Sequence, residues 1–166
     1  MILGIMAAVI VPNMWRIAPN YQRAQFTTTL NQLSALAWQN ALRTHLLHRV
    51  FFDIEKKIVQ VEVEIPESVQ GKQQKKQFKL VDTTYRKPQY RWPEGLEIQQ
   101  FFIDGVNQFK SGTRIETLWY YVLPEGLAQE VIINILDKAG AQPPEMSLVL
   151  NPFTAQFKEY DAYQKP

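Results

Sequence analysis

Residues 21–65, YQRAQFTTTLNQLSALAWQNALRTHLLHRVFFDIEKKIVQVEVEI, decide the fold, because the period of their apolar residues changes once along the stretch. From Tyr21 to Leu47 there is no glycine or proline, and apolar residues recur at Phe26, Leu30, Leu33, Ala37 and Ala41. Steps of four, three, four and four place them on one face of an α-helix. Leu36, Trp38, Leu42, Leu46 and Leu47 widen that stripe, while Gln25, Thr28, Asn31, Gln32, Gln39 and Arg43 make a wet, nearly uncharged opposite face. From Arg49 the period is two. Val50 to Asp53 reads as a strand, Ile54 to Lys57 as a turn, and Ile58 to Ile65 as a second strand. Val59, Val61, Val63 and Ile65 are expected to face the core, with Gln60, Glu62 and Glu64 toward water.

Working outward, residues 66–77 are polar and read as a loop, and Phe78 to Val81 as a short strand. Leu96–Ile98 and Phe101–Ile103 read as strands, closed by the turn residues Asp104-Gly105. Three more are expected at Leu118–Leu123, Glu130–Leu136 and Met146–Leu150, and a last one at Gln156–Tyr160. A helix followed by strands every few turns of sequence gives an α+β chain, a helical spine on an antiparallel sheet. The expected division is a spine at residues 1–47 and a globular, β-rich body at residues 48–166.

The start of the chain is apolar without interruption from Met1 to Val11, with no basic residue before it. A signal peptide needs a charged start, and a full span needs about 20 apolar residues. The run reads as the second half of a membrane segment whose first half lies upstream; a buried strand or helix is the plainer alternative. Pro12 and Pro19 each remove a backbone donor and are expected to kink or break a helix there.

Composition excludes several chemistries. The 166 residues are 46% hydrophobic and 20% charged, which suits a folded domain. There is no cysteine, so disulfides, thiolate metal sites and a cysteine nucleophile are ruled out. The net charge of +2 is unevenly spread: residues 1–52 carry four arginines and no acid, residues 53–70 sum to −3, residues 71–91 to +6 and residues 92–166 to −5. No phosphate loop, nucleophile elbow or triad signature occurs. His45 and His48, three apart toward the helix end, are read as helix-end residues favoured by the dipole, since two histidines make no coordination shell. Glu62 and Glu64 read as a solvated edge. Asp104-Gly105-Val106-Asn107 is the one thin candidate for calcium. No catalytic site, metal site or cofactor is expected.

Between Lys72 and Arg91 seven cations (Lys72, Lys75, Lys76, Lys79, Arg86, Lys87 and Arg91) oppose Asp82 and are interleaved with Phe78, Tyr85 and Tyr90. Cations with aromatics can grip single-stranded nucleic acid. A solvated loop is the favoured account, because charge runs usually serve only to solubilise.

Two passages carry a family resemblance. Residues 2–13, ILGIMAAVIVPN, resemble the latter part of the N-terminal helix of type IV pilins and pseudopilins. Residues 33–53, LSALAWQNALRTHLLHRVFFD, are similar to the helix-to-strand passage of the GspH/FimT type of minor pseudopilin. Pro93-Glu94-Gly95-Leu96, Leu123-Pro124-Glu125-Gly126 and Asn151-Pro152-Phe153-Thr154 fall where that type places its strand-and-turn signals. Ala155 departs from it, standing where a Thr-Gly turn is usual. The resemblance implies a structural subunit of a type II secretion pseudopilus, held in the bacterial inner membrane by one helix with its body in the periplasm. It implies other pseudopilins as partners and processing by prepilin peptidase at a site upstream of Met1. On that reading Ile2, Leu3, Ile5, Val9, Ile10, Val11 and Pro12 serve membrane and filament core, and Phe26, Leu30, Leu33 and Ala37 pack spine to sheet. The alternative is a FimT-like minor pilin that binds DNA for uptake.

Overall fold

The helical spacing becomes α1 (Ile2–Thr44), which runs through Pro12 and Pro19 without the expected break. Each proline removes one donor, and the remaining bonds of so long a helix continue past the loss. The computed structural model describes the backbone from Ile2, except residues 67–75, 85, 110–114 and 141, and side chains from Tyr21. The side chains of Ile2, Leu3, Ile5, Val9, Ile10, Val11 and Pro12 therefore lie outside the described residues. Among the described residues, no helix is long and apolar enough to cross a membrane.

Helix α1 ends where His45 takes a left-handed backbone, φ 55°, with its N–H on the Ala41 carbonyl at 2.9 Å. The chain then enters β1 (His48–Asp53), turns at residues 54–57, and returns as β2 (Ile58–Glu64), pairing Asp53 with Ile58 and His48 with Val63. Asp53 closes this turn by accepting the Lys56 N–H at 2.9 Å. The hairpin acid is held below the usual carboxylate range, chiefly by that backbone bond.

The body holds two antiparallel sheets rather than one. In the first, β1 lies between β2 and β7 (Thr117–Val122), and β2 is edged at its two ends by β3 (Phe78–Leu80) and β4 (Gln89–Arg91). In the second the order is β10 (Gln156–Tyr160), β9 (Glu145–Asn151), β8 (Val131–Asp137), β5 (Leu96–Ile103) and β6 (Val106–Asn107). Leu96–Ile98 and Phe101–Ile103 are one strand, because an irregularity between Ile98 and Gln100 takes up the extra residue. The β9–β10 turn closes on Asn151 and Gln156, with Ala155 at φ 50° in the backbone region that a glycine adopts more freely.

One core joins these layers. Phe26, Leu30, Leu33 and Ala37 of α1 are buried with Val50, Phe52, Val59, Val61 and Tyr120 of the first sheet and Phe101, Ile133, Leu148 and Phe157 of the second. Two polar contacts fix the helix within it. The Ser34 and Tyr120 hydroxyls share a buried 2.6 Å hydrogen bond, and Asn31 both donates to the Phe157 carbonyl and accepts the Phe157 N–H. Burial pushes the Tyr120 hydroxyl far above its ordinary range, so it stays neutral there.

The Leu123–Gly126 turn is pinned to the upper helix by the Trp38 indole N–H, which donates to the Gly126 carbonyl at 2.6 Å. Gly126 sits at φ +82°, and a Cβ there would come within 2.8 Å of the Leu42 side chain. Strain and overlap act together at this position. Gly126→Ala is expected to lower unfolding free energy by about 1–3 kcal/mol, measured by urea denaturation. An unchanged midpoint would mean that the turn is not held against α1.

Candidate interaction surfaces

From Tyr21 to Leu42 the only charged residue on α1 is Arg23, and it is buried. Its guanidinium turns inward, donating to the Pro143 carbonyl at 2.9 Å and the Glu145 carbonyl at 3.3 Å. The strip that faces out is made of Tyr21, Ala24, Gln25, Thr28, Gln32, Gln39 and Leu42. It is uncharged over about six turns. An ordinary exposed helix carries charge on its wet face, so this strip is better suited to meeting another protein surface than to bulk water.

The two flanks of the strip differ in sign. On one side a groove runs between α1 and residues 82–90, as two adjoining cavities of about 410 and 550 Å³. Leu33, Leu36 and Tyr90 lie along it, and Arg43, Arg86 and Lys87 border it with Asp82. None of these three cations has an ion-pair partner among the described residues. Thr83 shapes the loop by donating its hydroxyl to the Arg86 carbonyl. On the other side β10 brings Glu159 and Asp161 to α1. Glu159 accepts the Thr27 hydroxyl at 2.7 Å, and the two carboxylates stand 3.9 and 3.8 Å from Arg23.

The described cations of the 72–91 stretch do not gather into one patch. Lys72 and Lys75 lie outside the described residues. Lys76 pairs with Glu64 at 3.2 Å, and Arg91 faces Glu94 at 3.7 Å. Lys79 stands on β3 opposite Val63. Among the described cations of the stretch, Arg86 and Lys87 are the ones that reach the helix groove.

The outer face of the first sheet corrects the sequence reading of Glu62. That side chain is 10% exposed and meets the Arg49 guanidinium at 2.6 Å, with the Gln60 amide also donating to it at 2.6 Å. Arg49 in turn lies over Phe78 at 4.0 Å and over Phe51 and Trp119 at 5.1 Å. The aromatic rings cover a face expected to be wet. Arg49 and Glu62 are cross-strand partners in the hairpin, so counting outward from the turn would have found the pair. Arg49→Ala is expected to cost about 3 kcal/mol, because it strands a buried carboxylate. Arg49→Met with Glu62→Gln should recover part of that loss in thermal melts. A single-mutant cost of only about 0–1 kcal/mol would place the pair among ordinary surface bridges.

The other candidates resolve into structural roles. Neither histidine is on the helix: His45 is the left-handed residue just past its end, and His48 begins β1, buried, with Nδ1 2.9 Å from the Leu46 carbonyl oxygen. Burial is the main cause that lowers its pKa. Asp104 accepts the Gln129 amide at 2.7 Å and the Glu130 N–H at 3.2 Å, which ties the β5–β6 turn to the start of β8. Among the described residues no three histidines or carboxylates converge as metal ligands.

No protein-family model and no curated protein matches this chain. Its fold matches two solved structures of the minor pseudopilin EpsH from the type II secretion system of Vibrio cholerae. One superimposes with a TM-score of 0.59 at 12% identity, covering 87% of this chain and 99% of that one. The other gives 0.57 at 12% identity, covering 84% and 93%. A long helix laid on two antiparallel sheets, matched across most of both chains, gives this protein a pseudopilin-like fold.

Proposed function

We propose that this chain is a structural subunit, and not an enzyme: a minor pseudopilin that helps assemble or cap the type II secretion pseudopilus that drives protein export. The uncharged outer strip of α1 carries the reading, in a fold shared with EpsH. Stripping water from amides, hydroxyls and apolar groups costs far less than stripping it from charges. A helix with this face can therefore pass from one environment to packing against neighbouring helices. In this account Ile2 to Val11 anchor the subunit in the inner membrane before assembly, Pro12 loosens the helix where it bends to fit, and the body stays in the periplasm. Other pseudopilins are the partners, and prepilin peptidase is the processing enzyme.

The absence of native cysteine gives a clean test. Thr28→Cys places a single thiol on the strip, and in cells producing the full chain it is labelled with a benzophenone maleimide, which on irradiation bonds to whatever protein lies against it. Cross-linked species containing a second pilin-like subunit are expected. A thiol that takes up the label fully yet yields no cross-link on irradiation would show that the strip faces water, and would defeat the proposal.

A further inference from the structure

The two flanks of α1 carry opposite charge, and they do so at different heights. The groove cations Arg86, Lys87 and Arg43 lie beside the helix between Thr29 and Arg43. The acids Glu159 and Asp161 lie at the level of Arg23 and Thr27. Asp161 is largely free for a partner, its side chain 77% exposed. The cations line a cleft with an apolar floor, and no carboxylate pairs with them among the described residues. We infer that the groove beside α1 receives the acidic flank of a second copy of this chain, Arg86 and Lys87 of one subunit meeting Glu159 and Asp161 of the next.

This inference rests on the filament reading above and specifies one contact within it. The two patches are different surfaces, so the contact is heterologous and generates a ring or an open helical array. Their separation along the helix, at 1.5 Å per residue, sets a stagger of roughly 10–15 Å between neighbours. A stagger of that kind builds an open screw rather than a closed ring. The uncharged strip between the flanks would then be covered as the flanks engage. Nucleic acid suits the groove less well: its lining mixes three cations with Asp82, leucines and neutral amides, while Lys76 and Arg91 are paired with carboxylates and Lys79 stands on β3.

The test uses two full-length single-cysteine chains, Lys87→Cys and Asp161→Cys, carrying different tags and produced together. Both positions are exposed, where substitutions scarcely alter stability. A disulfide needs Cα atoms within about 7 Å, so only a direct contact will be trapped. Under mild oxidation a mixed disulfide between the two tags is expected, and neither chain alone should dimerise. Adding Arg86→Glu to the first chain should abolish the product, and adding Glu159→Lys to the second should restore it.

A homodimer of the Lys87→Cys chain would indicate a two-fold contact and overturn the inference. So would no mixed product. If Thr28→Cys cross-links while the mixed pair does not, the filament reading stands and this contact falls; if neither does, both fall. Salt-sensitive binding of labelled DNA by the unmodified chain, lost in Arg86→Gln with Lys87→Gln, would assign the groove to nucleic acid instead.

Discussion

Leu30→Asp is expected to unfold the body, whereas Gln32→Asp, two residues away, should leave it intact. Leu30 is 0% exposed and lies between α1 and the sheets, so the substitution removes a core side chain and puts a carboxylate in its place. Loss of the leucine alone costs about 2–5 kcal/mol, and burying an unpaired polar group adds several more. A total of that size rivals the whole stability of a domain, about 5–15 kcal/mol. Gln32 is exposed on the neighbouring face, where an added charge meets water. Circular dichroism melts of both proteins check the contrast. Equal losses would show that the helix presents a different face to the sheets.

Phe52→Ala should cost about 3–5 kcal/mol, the range for deleting a buried aromatic ring. Phe52 stands at the meeting of the three layers. Its ring centroid lies 5.2 Å from that of Phe101 in the second sheet, 6.3 Å from Tyr120 in the first, and 6.2 Å from Trp92. Trp92 in turn lies 6.1 Å from Phe26 of the helix. Removing Phe52 leaves a void that no single neighbour can fill without moving two layers. Phe51→Ala, one residue earlier and on the outer face against Trp119, should cost less. A chemical denaturation series in which Phe51 proves the more costly would invert the sidedness of β1.

The parts of the fold legible in the sequence are those whose local pattern agrees with their tertiary setting. The β1–β2 hairpin has an alternating strand, a turn with Asp53 at its start, and matching lengths. The β9–β10 turn is marked by Asn151-Pro152, although Ala155 had to take a glycine-like φ to close it. Strands β4 and β6, three and two residues long, carry no apolar period of their own and exist only because a neighbour pairs with them. The irregularity at Gln99 hid the continuity of β5. Glu62 was misread because alternation says which residues share a face but not whether a second layer of rings covers it.

The interaction surfaces were less legible, for a related reason. Cations adjacent in sequence between Lys76 and Arg91 separate in space once β3 and β4 take opposite ends of β2. Arg86 and Lys87 instead join Arg43, which is some forty residues away in the chain. The uncharged outer strip of α1 was visible from the start as the run of amides and hydroxyls between Gln25 and Gln39. What could not be read was that Arg23, just before that run, turns inward onto the Pro143 and Glu145 carbonyls.

The most direct measurement is made in the source cell, by deleting the gene for this chain and following a secreted protein in medium and periplasm. The account predicts that the exported protein accumulates in the periplasm, and that export returns with a plasmid copy of the full chain but not with one carrying Leu30→Asp. Undiminished export in the deletion strain, with loss of DNA uptake in its place, would contradict it.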